Sequence, residues 1–463
     1  MLTRRYLLLL PTLLLTACSL STPVPGSAVV APAQWSMTPA GSQWPERDWW
    51  QQYQTPELEM LLARAEAGNL DLATAASRLR QAEAQLRQAR ASVLPQVSGS
   101  VDAGRSGNDN TSSTSYGAAL STRYELNFWG RNQAVTDSAR ATLLASEYDA
   151  QTLALSIQAS VVSNWLQILE NQRRLTLARD SLANAERVLS LVETRYRFGA
   201  DDSLAVSQQR TLVAQLRASL PNLEQQALQL RNSLALLLGQ TPEVSLPAAT
   251  PLADVNVPLV GAGLPAELLN RRPDIRASEA RLLAANADLT AARAALFPTI
   301  ALTGQLGAQS AALGTLLSNP VTAWALAAGL TQSLFDGGGL RAQVDGSRAR
   351  QQELLVEYRR TLLSALGETD TALGAVRQAR ERYQFLELAT VEAKQAFDLA
   401  EIRYRAGSID LQSLLDTQRT WYQSQDTLTQ QRAIWLLASV DLFRALGGGW
   451  QAPTVVYGAD QLR

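Results

Sequence analysis

Few side chains in this sequence could do chemistry. Its 463 residues contain no histidine and a single cysteine, Cys18. Those counts exclude a Ser-His-Asp triad, a Cys/His zinc site and an intrachain disulfide. Carboxylate chemistry stays open, but the spacing of the acids does not point to it. The chain therefore reads as a non-enzyme with no metal site. A formal net charge of −1 gives no electrostatic case for nucleic acid. Two features remain: one thiol near the N-terminus, and tyrosines, arginines and acids around two near-identical hexamers. The hexamers are Thr194–Gly199 (TRYRFG) and Ile402–Gly407 (IRYRAG).

The thiol has a context. Arg4 and Arg5 precede the apolar run Tyr6–Leu15, which is too short to span a bilayer as a stable helix and reads as a signal peptide over 1–17. Leu15-Thr16-Ala17-Cys18 resembles a bacterial lipobox. In lipoproteins that thiol takes a diacylglycerol, and the cysteine becomes the new N-terminus and is N-palmitoylated. Cys18 is thus the expected lipid attachment site, and no other cofactor is implied. Ser19 follows where an aspartate would mark retention in the inner membrane, which favours the outer membrane. Residues 18–56 are expected to form a lipidated extended segment.

The hexamers belong to a longer internal duplication. Residues 69–97 (NLDLATAASRLRQAEAQLRQARASVLPQV) align without a gap on 272–300 (RPDIRASEARLLAANADLTAARAALFPTI). Phe128-Trp129-Gly130 matches Phe335-Asp336-Gly337, and Gln209-Arg210-Thr211 matches Gln418-Arg419-Thr420. The chain divides into a first repeat (57–238), a Pro-rich connector (239–264), a second repeat (265–446) and a C-terminal tail (447–463).

Each repeat has the same plan. A helix comes first, with Leu72, Leu79, Leu86 and Val93 at heptad spacing in one copy and Ile275, Leu282, Leu289 and Leu296 in the other. Pro95 and Pro298 end these helices. The period then becomes two, predicting one β-hairpin per repeat, at about 96–127 and 299–335. Tyr116, Leu120, Tyr124 and Leu126 form an apolar face in the first, and Trp324, Leu326, Leu330 and Leu334 in the second. The intervening GRSGNDNTSST and SAALGTLLSNP read as loops. A very long helix follows: 131–198 holds neither glycine nor proline, a length on the order of 100 Å. Its seam is predicted at Leu175, Leu182, Leu189 and Tyr196, with Ala178, Ala185 and Val192 alongside. In the second repeat it is Tyr383, Thr390, Phe397 and Tyr404, with Leu386, Ala393 and Ala400. The hexamers are then the far tips of two helical hairpins. Gly199 and Gly407 make the turn, and Arg195 and Arg403 meet the negative end of the helix dipole. The return helices begin after DDS and SID, which suit N-caps. Turn-making leaves the tyrosines Tyr196 and Tyr404 unexplained.

Four strands cannot close a barrel, and in lipid an open sheet edge is costly. Several copies must pool their strands, and three copies give about twelve. The expected fold is an α+β membrane protein. It consists of a trimeric twelve-stranded β-barrel, four strands per chain, continued by a helical coiled-coil barrel through the periplasm.

WWQQYQTPELEMLL (49–62), RRPDI (271–275), AANADLTAARAALFP (284–298), YRAG…LLDTQRT (404–420) and RALGGGW (444–450) resemble landmarks of the TolC-like outer-membrane efflux duct family, above all its NodT-type lipoprotein branch. The resemblance covers essentially the whole mature chain. It implies a passive homotrimeric duct in the outer membrane that docks on a periplasmic adaptor and an inner-membrane efflux pump. Drugs or other toxic small molecules are the implied cargo, with type I protein secretion and metal efflux as alternatives. A structural coiled-coil lipoprotein of the envelope is the rival from another class, and it has no use for membrane hairpins. The family closes its tunnel at the tips, which implies gate roles for Asp416, Gln412 and Tyr404. Gln412 stands where many relatives have leucine. Ala205 stands where the first tip of relatives often has aspartate, while Asp201 and Asp202 lie earlier.

Overall fold

The computed structural model describes residues 26, 29–37, 44–108, 110–243, 246–247 and 250–450. Cys18 and its signal peptide lie outside them, as does the tail beyond 450. The chain forms two compact units.

The first unit comprises Met1–Ala28, Ser77–Asp149 and Asp274–Thr361, and it holds all four strands. These are β1 (Gln96–Asn108), β2 (Thr111–Leu126), β3 (Thr299–Ser310) and β4 (Val321–Thr331), all antiparallel in the order β1-β2-β3-β4. Register shows why the period-two pattern matters. Leu120 faces Gly99 on β1 and Leu306 on β3, and Leu306 faces Trp324 on β4. The next rows are Val97–Thr122–Gly304–Leu326 and, on the last three strands, Tyr124–Leu302–Ala328. Directly opposed residues share a face, so the apolar positions of both hairpins fall on one side of one sheet. The other side carries Ser98, Ser121, Gln305 and Ala325, with Ser98 Oγ 2.8 Å from Ser121 Oγ. Leu326 is 78% exposed, an orientation that suits lipid better than water. Among the described residues, β1 and β4 each pair with one strand only, so both sheet edges are open.

Three sequence expectations shift here. β4 ends at Thr331, so Leu334 and Phe335 lie beyond the sheet. The second loop is not structureless: Leu313–Ser318 forms a short helix, with Ser318 Oγ donating to Gly314 O (3.0 Å). The helices before the hairpins stop short of their prolines, at Ala91 and Ala294. There Ser92, Val93 and Leu94 donate to carbonyls three residues back. A proline disfavours the α conformation in the residue before it, and the last turn tightens.

The second unit comprises Val29–Ala76, Ala150–Pro273 and Leu362–Arg463. It opens with a 3-10 turn at Trp49–Tyr53, so residues 18–56 are not extended throughout. Trp49 stacks on Phe443 at 4.8 Å, and Tyr53 Oη lies 2.7 Å from Ser439 Oγ, in a fully buried core. Helices α1 (Pro56–Gly68) and α2 (Leu70–Ala91) follow. Two equally long helices, α3 (Arg131–Arg197) and α8 (Gly339–Arg405), end in this unit with 67 residues each. They return as α4 (Ser203–Leu237) and α9 (Leu411–Ala445), with 35 residues each. The second repeat opens with α5 (Pro265–Leu268) and α6 (Pro273–Ala294), and its β3–β4 loop carries α7 (Leu313–Ser318). α3 contains one stretch with the length and apolarity of a membrane span. Half of that stretch is buried within the chain, and Val161, Val162, Trp165 and Leu166 of α3 are fully buried.

Candidate functional site at the paired helix tips

The two hexamers end α3 and α8 in the same way. Ala200 N–H donates to Arg195 O (2.8 Å) and Gly199 N–H to Tyr196 O (3.0 Å). Ser408 N–H donates to Arg403 O (2.9 Å) and Gly407 N–H to Tyr404 O (3.0 Å). These bonds define Schellman caps, and they need a left-handed residue at the turn. Gly199 and Gly407 supply it at φ +73° and +72°. Asp202 and Asp410 then cap α4 and α9, accepting from Ala205 N–H (2.8 Å) and Ser413 N–H (2.9 Å). The Ser413 hydrogen bonds hold the Asp410 carboxyl below the ordinary aspartate range.

Beyond the turns the tips differ. Tyr404 is 1% exposed, in a cluster with Val188, Val192, Val206, Phe397 and Leu415. Its counterpart Tyr196 is 48% exposed. The Tyr404 hydroxyl donates to the Asp201 carboxylate. Arg195 Nε donates to the same oxygen at 3.0 Å, its Nη1 donates to Tyr404 O at 3.2 Å, and its guanidinium lies 4.7 Å from the centre of the Tyr404 ring. Burial, and then the Asp201 bond, push the phenol well above its ordinary pKa, so it stays a neutral donor. The same carboxylate holds Arg195 more firmly protonated. Further from the turn, Arg187 donates to both oxygens of Glu401, which also accepts from Arg405 at 2.5 Å. The Arg187 bond is the main reason the Glu401 carboxyl sits below its usual range. The Tyr404–Asp201, Arg195–Tyr404 and Arg187–Glu401 contacts join the first hairpin to the second.

Gln412 and Asp416 sit elsewhere. Both are exposed on the face of α9 away from Leu411, Leu414 and Leu415, and Gln412 Nε2 donates to Asp416 Oδ1 at 2.9 Å. Arg403 is exposed and acts through its carbonyl, which also accepts from Ser408 Oγ at 3.0 Å. The expected gate residues therefore separate: Tyr404 lies in a buried knot with Asp201 and the tip residue Arg195, while Gln412 and Asp416 form an exposed pair on α9. Arg195 reaches the last turn of α8 through Tyr404 O, across the hairpins, rather than the end of its own helix.

Asp201 was left unassigned by sequence. Ala205, at the position where relatives often have aspartate, packs inside the cluster, where a carboxylate would lack water. The usable signal was an acid two residues past a turn glycine, within reach of the tip arginine. The seam of α3 agrees with expectation in part: Ala185 and Val192 are buried, joined by Val188, while Leu175, Leu182 and Leu189 are only half-buried. The second hairpin buries Ala393, Phe397, Ala400 and Tyr404 as predicted.

A sequence model of the outer membrane efflux protein family matches residues 61–240 and 264–448. The chain belongs to that family. It is 42% identical over 456 residues to the pyoverdine export outer membrane protein OpmQ of Pseudomonas aeruginosa, covering 95% of this chain and 96% of that one. It is 32% identical over 458 residues to the antibiotic efflux pump outer membrane protein ArpC of Pseudomonas putida, covering 95% and 94%. Among solved structures it resembles the outer-membrane channel OprN, with a TM-score of 0.84 and 31% identity over 94% of this chain and all of that one. The protein is an outer-membrane channel component of an efflux system. In this outer membrane efflux protein, the arginines of RRPDI meet the glycines of RALGGGW. Arg272 Nη1 donates to Ala445 O (3.1 Å) and Nη2 pairs with Glu368 (2.9 Å). At Gly447 a Cβ would lie 2.1 Å from Arg271 O, so only glycine fits.

Proposed function

We propose that three copies of this chain form a closed duct through the outer membrane, anchored by lipid on Cys18. The duct passively exports small molecules delivered by an inner-membrane pump through a periplasmic adaptor. The open edges of β1 and β4 carry this reading, on a sheet whose apolar residues share one face. Lipid cannot hydrogen-bond those edges, whereas strands from neighbouring copies can. The helical part supplies a second argument. Phe385, Leu388, Val391, Leu399 and Ile402 stay exposed along α8, spaced as a seam for helices of another copy.

Relatives of higher identity carry pyoverdine export in their names and those of lower identity antibiotic or toluene efflux. Pyoverdine is therefore the first cargo to test, with drugs and solvents next. The knot around Tyr404 keeps the two hairpins of each copy together, and the exposed Asp416 faces the tunnel. Native mass measurement in detergent should give three times the mature chain, and the trimer should conduct in planar bilayers with cation preference. A conducting monomer would refute the assembly. Palmitate label lost in Cys18→Ser tests the anchor.

A further inference from the structure

The exposed face of α9 carries more than Gln412 and Asp416. At about 100° per residue, positions 412, 416, 419 and 423 fall within an arc of roughly 60°. Arg419 thus shares the stripe with Asp416, one turn further from the tip, while Leu411, Leu414, Leu415, Gln418 and Tyr422 are buried on another side. Its counterpart in the first repeat, by the Gln-Arg-Thr match, is Arg210. Arg210 is paired: its Nη2 lies 2.7 Å from Glu193 on the neighbouring helix. The acid matching Glu193 in the second repeat is Glu401, and it is occupied by Arg187 and Arg405. Asp416 accepts from Gln412, and no ion pair joins it to Arg419 among the described residues. On this stripe the Arg419 guanidinium is therefore exposed and, among the described residues, without an acid partner, where its first-repeat counterpart Arg210 is neutralised by Glu193.

We propose that Arg419 is a specificity-determining residue of the duct, binding a carboxylate or similar oxyanion of the passing cargo. This rests on the reading of α9 as tunnel-lining in a trimer. A guanidinium fork matches a carboxylate in a bidentate manner, and it stays charged at any working pH. Three copies would make a basic ring one turn behind the acidic Asp416 ring. Solute leaving the tip region then meets the two signs in sequence. A tunnel mouth of this kind passes cargo carrying acidic groups that a lone Asp416 ring would repel. The first hairpin, with Ser203 and Ser207 at the positions matching Gln412 and Asp416 and Arg210 paired, has no such ring.

The test uses the full lipidated trimer in planar bilayers, with citrate or hexamminecobalt added on the side away from the tips. Arg419→Gln, Arg419→Lys and Asp416→Asn are compared with the unaltered chain, and heat-resistant trimer on gels confirms that each variant assembles. Citrate should block the unaltered duct. Arg419→Gln should weaken that block about tenfold, and hexamminecobalt block should persist or strengthen. Arg419→Lys should recover part of the citrate block, since charge remains without the fork. Asp416→Asn should lose hexamminecobalt block and keep that of citrate. Unchanged citrate block in Arg419→Gln would overturn the proposal. So would equal rises in leak from Arg419→Gln and Asp416→Asn with no anion effect, which would show the two side chains pairing between copies. If the unaltered trimer passes no current, the duct reading itself fails instead.

Discussion

The two helix tips share a sequence and a cap but not a role. Both close with a Schellman turn on a left-handed glycine, and both restart on a capping aspartate. Yet Tyr404 is sealed in a core while Tyr196 faces outward. The difference comes from neighbours. Asp201 and Arg195 of the first hairpin both reach across to Tyr404, and among the described residues no equivalent pair reaches back to Tyr196. Local sequence sets how a helix ends, and the partner helix sets what the ending holds. One tip donates the clasp and the other receives it.

The largest test of this asymmetry is Tyr404→Ala against Tyr196→Ala. Emptying a buried aromatic site costs about 3–5 kcal/mol, whereas an exposed position typically costs less than about 0.5 kcal/mol. Hydrogen exchange should accelerate more than about a hundredfold around 188–206 and 397–415 in Tyr404→Ala, with almost no change in Tyr196→Ala. Similar acceleration in both would erase the distinction.

Asp201→Ala comes next. It strips the acceptor from the Tyr404 hydroxyl and from a largely buried Arg195, at about 1–3 kcal/mol. Its neighbour Asp202→Ala loses only a helix cap, about 1 kcal/mol. Single-channel conductance should therefore rise more in Asp201→Ala than in Asp202→Ala, and the reverse order would place the clasp elsewhere.

The glycines predict equality where the tyrosines predict contrast. Gly199→Ala and Gly407→Ala each force an L-residue into the left-handed region, at roughly 1–2 kcal/mol. Neither new Cβ meets a neighbour within 4 Å. The two variants should show matched local exchange rates, and a marked difference would mean that the caps are not equivalent. Tyr404→Phe removes one hydrogen bond but keeps the ring, about 1 kcal/mol, so its conductance should fall between the unaltered chain and Tyr404→Ala. The smallest effect belongs to Gln412→Leu. It removes the amide that holds Asp416 and adds an apolar group, and it should lower conductance. Ser203→Leu at the matching place in the first hairpin should not.

How far the sequence reached depends on what each residue needed. Helix lengths, turn glycines and capping acids were legible because backbone hydrogen bonds and φ angles answer to residues a few positions away. The period-two pattern was legible for the same reason, and Leu120, Leu306 and Trp324 do share a face. Where β4 ends was less so, because Leu334 continues the alternation although the sheet stops at Thr331. The loop helix at Leu313–Ser318 was hidden by small residues on either side.

Other features were set only in three dimensions. Within the α3 seam the covered stripe runs through Ala185, Val188 and Val192 rather than the leucines beside them, because the helices packed against it select which side is covered. Asp201 finds its partner 203 residues away, a separation that no local spacing encodes. Glu401, the counterpart of Glu193, pairs with Arg187 of the other repeat and with Arg405, and not with Arg419. By itself the sequence determined the period of each element, its turn and capping residues and the duplicated plan, since these follow from backbone geometry over short spans. The tertiary structure decided which of two matching residues became core, clasp or free charge. Burial and ion pairing depend on what a distant segment brings alongside.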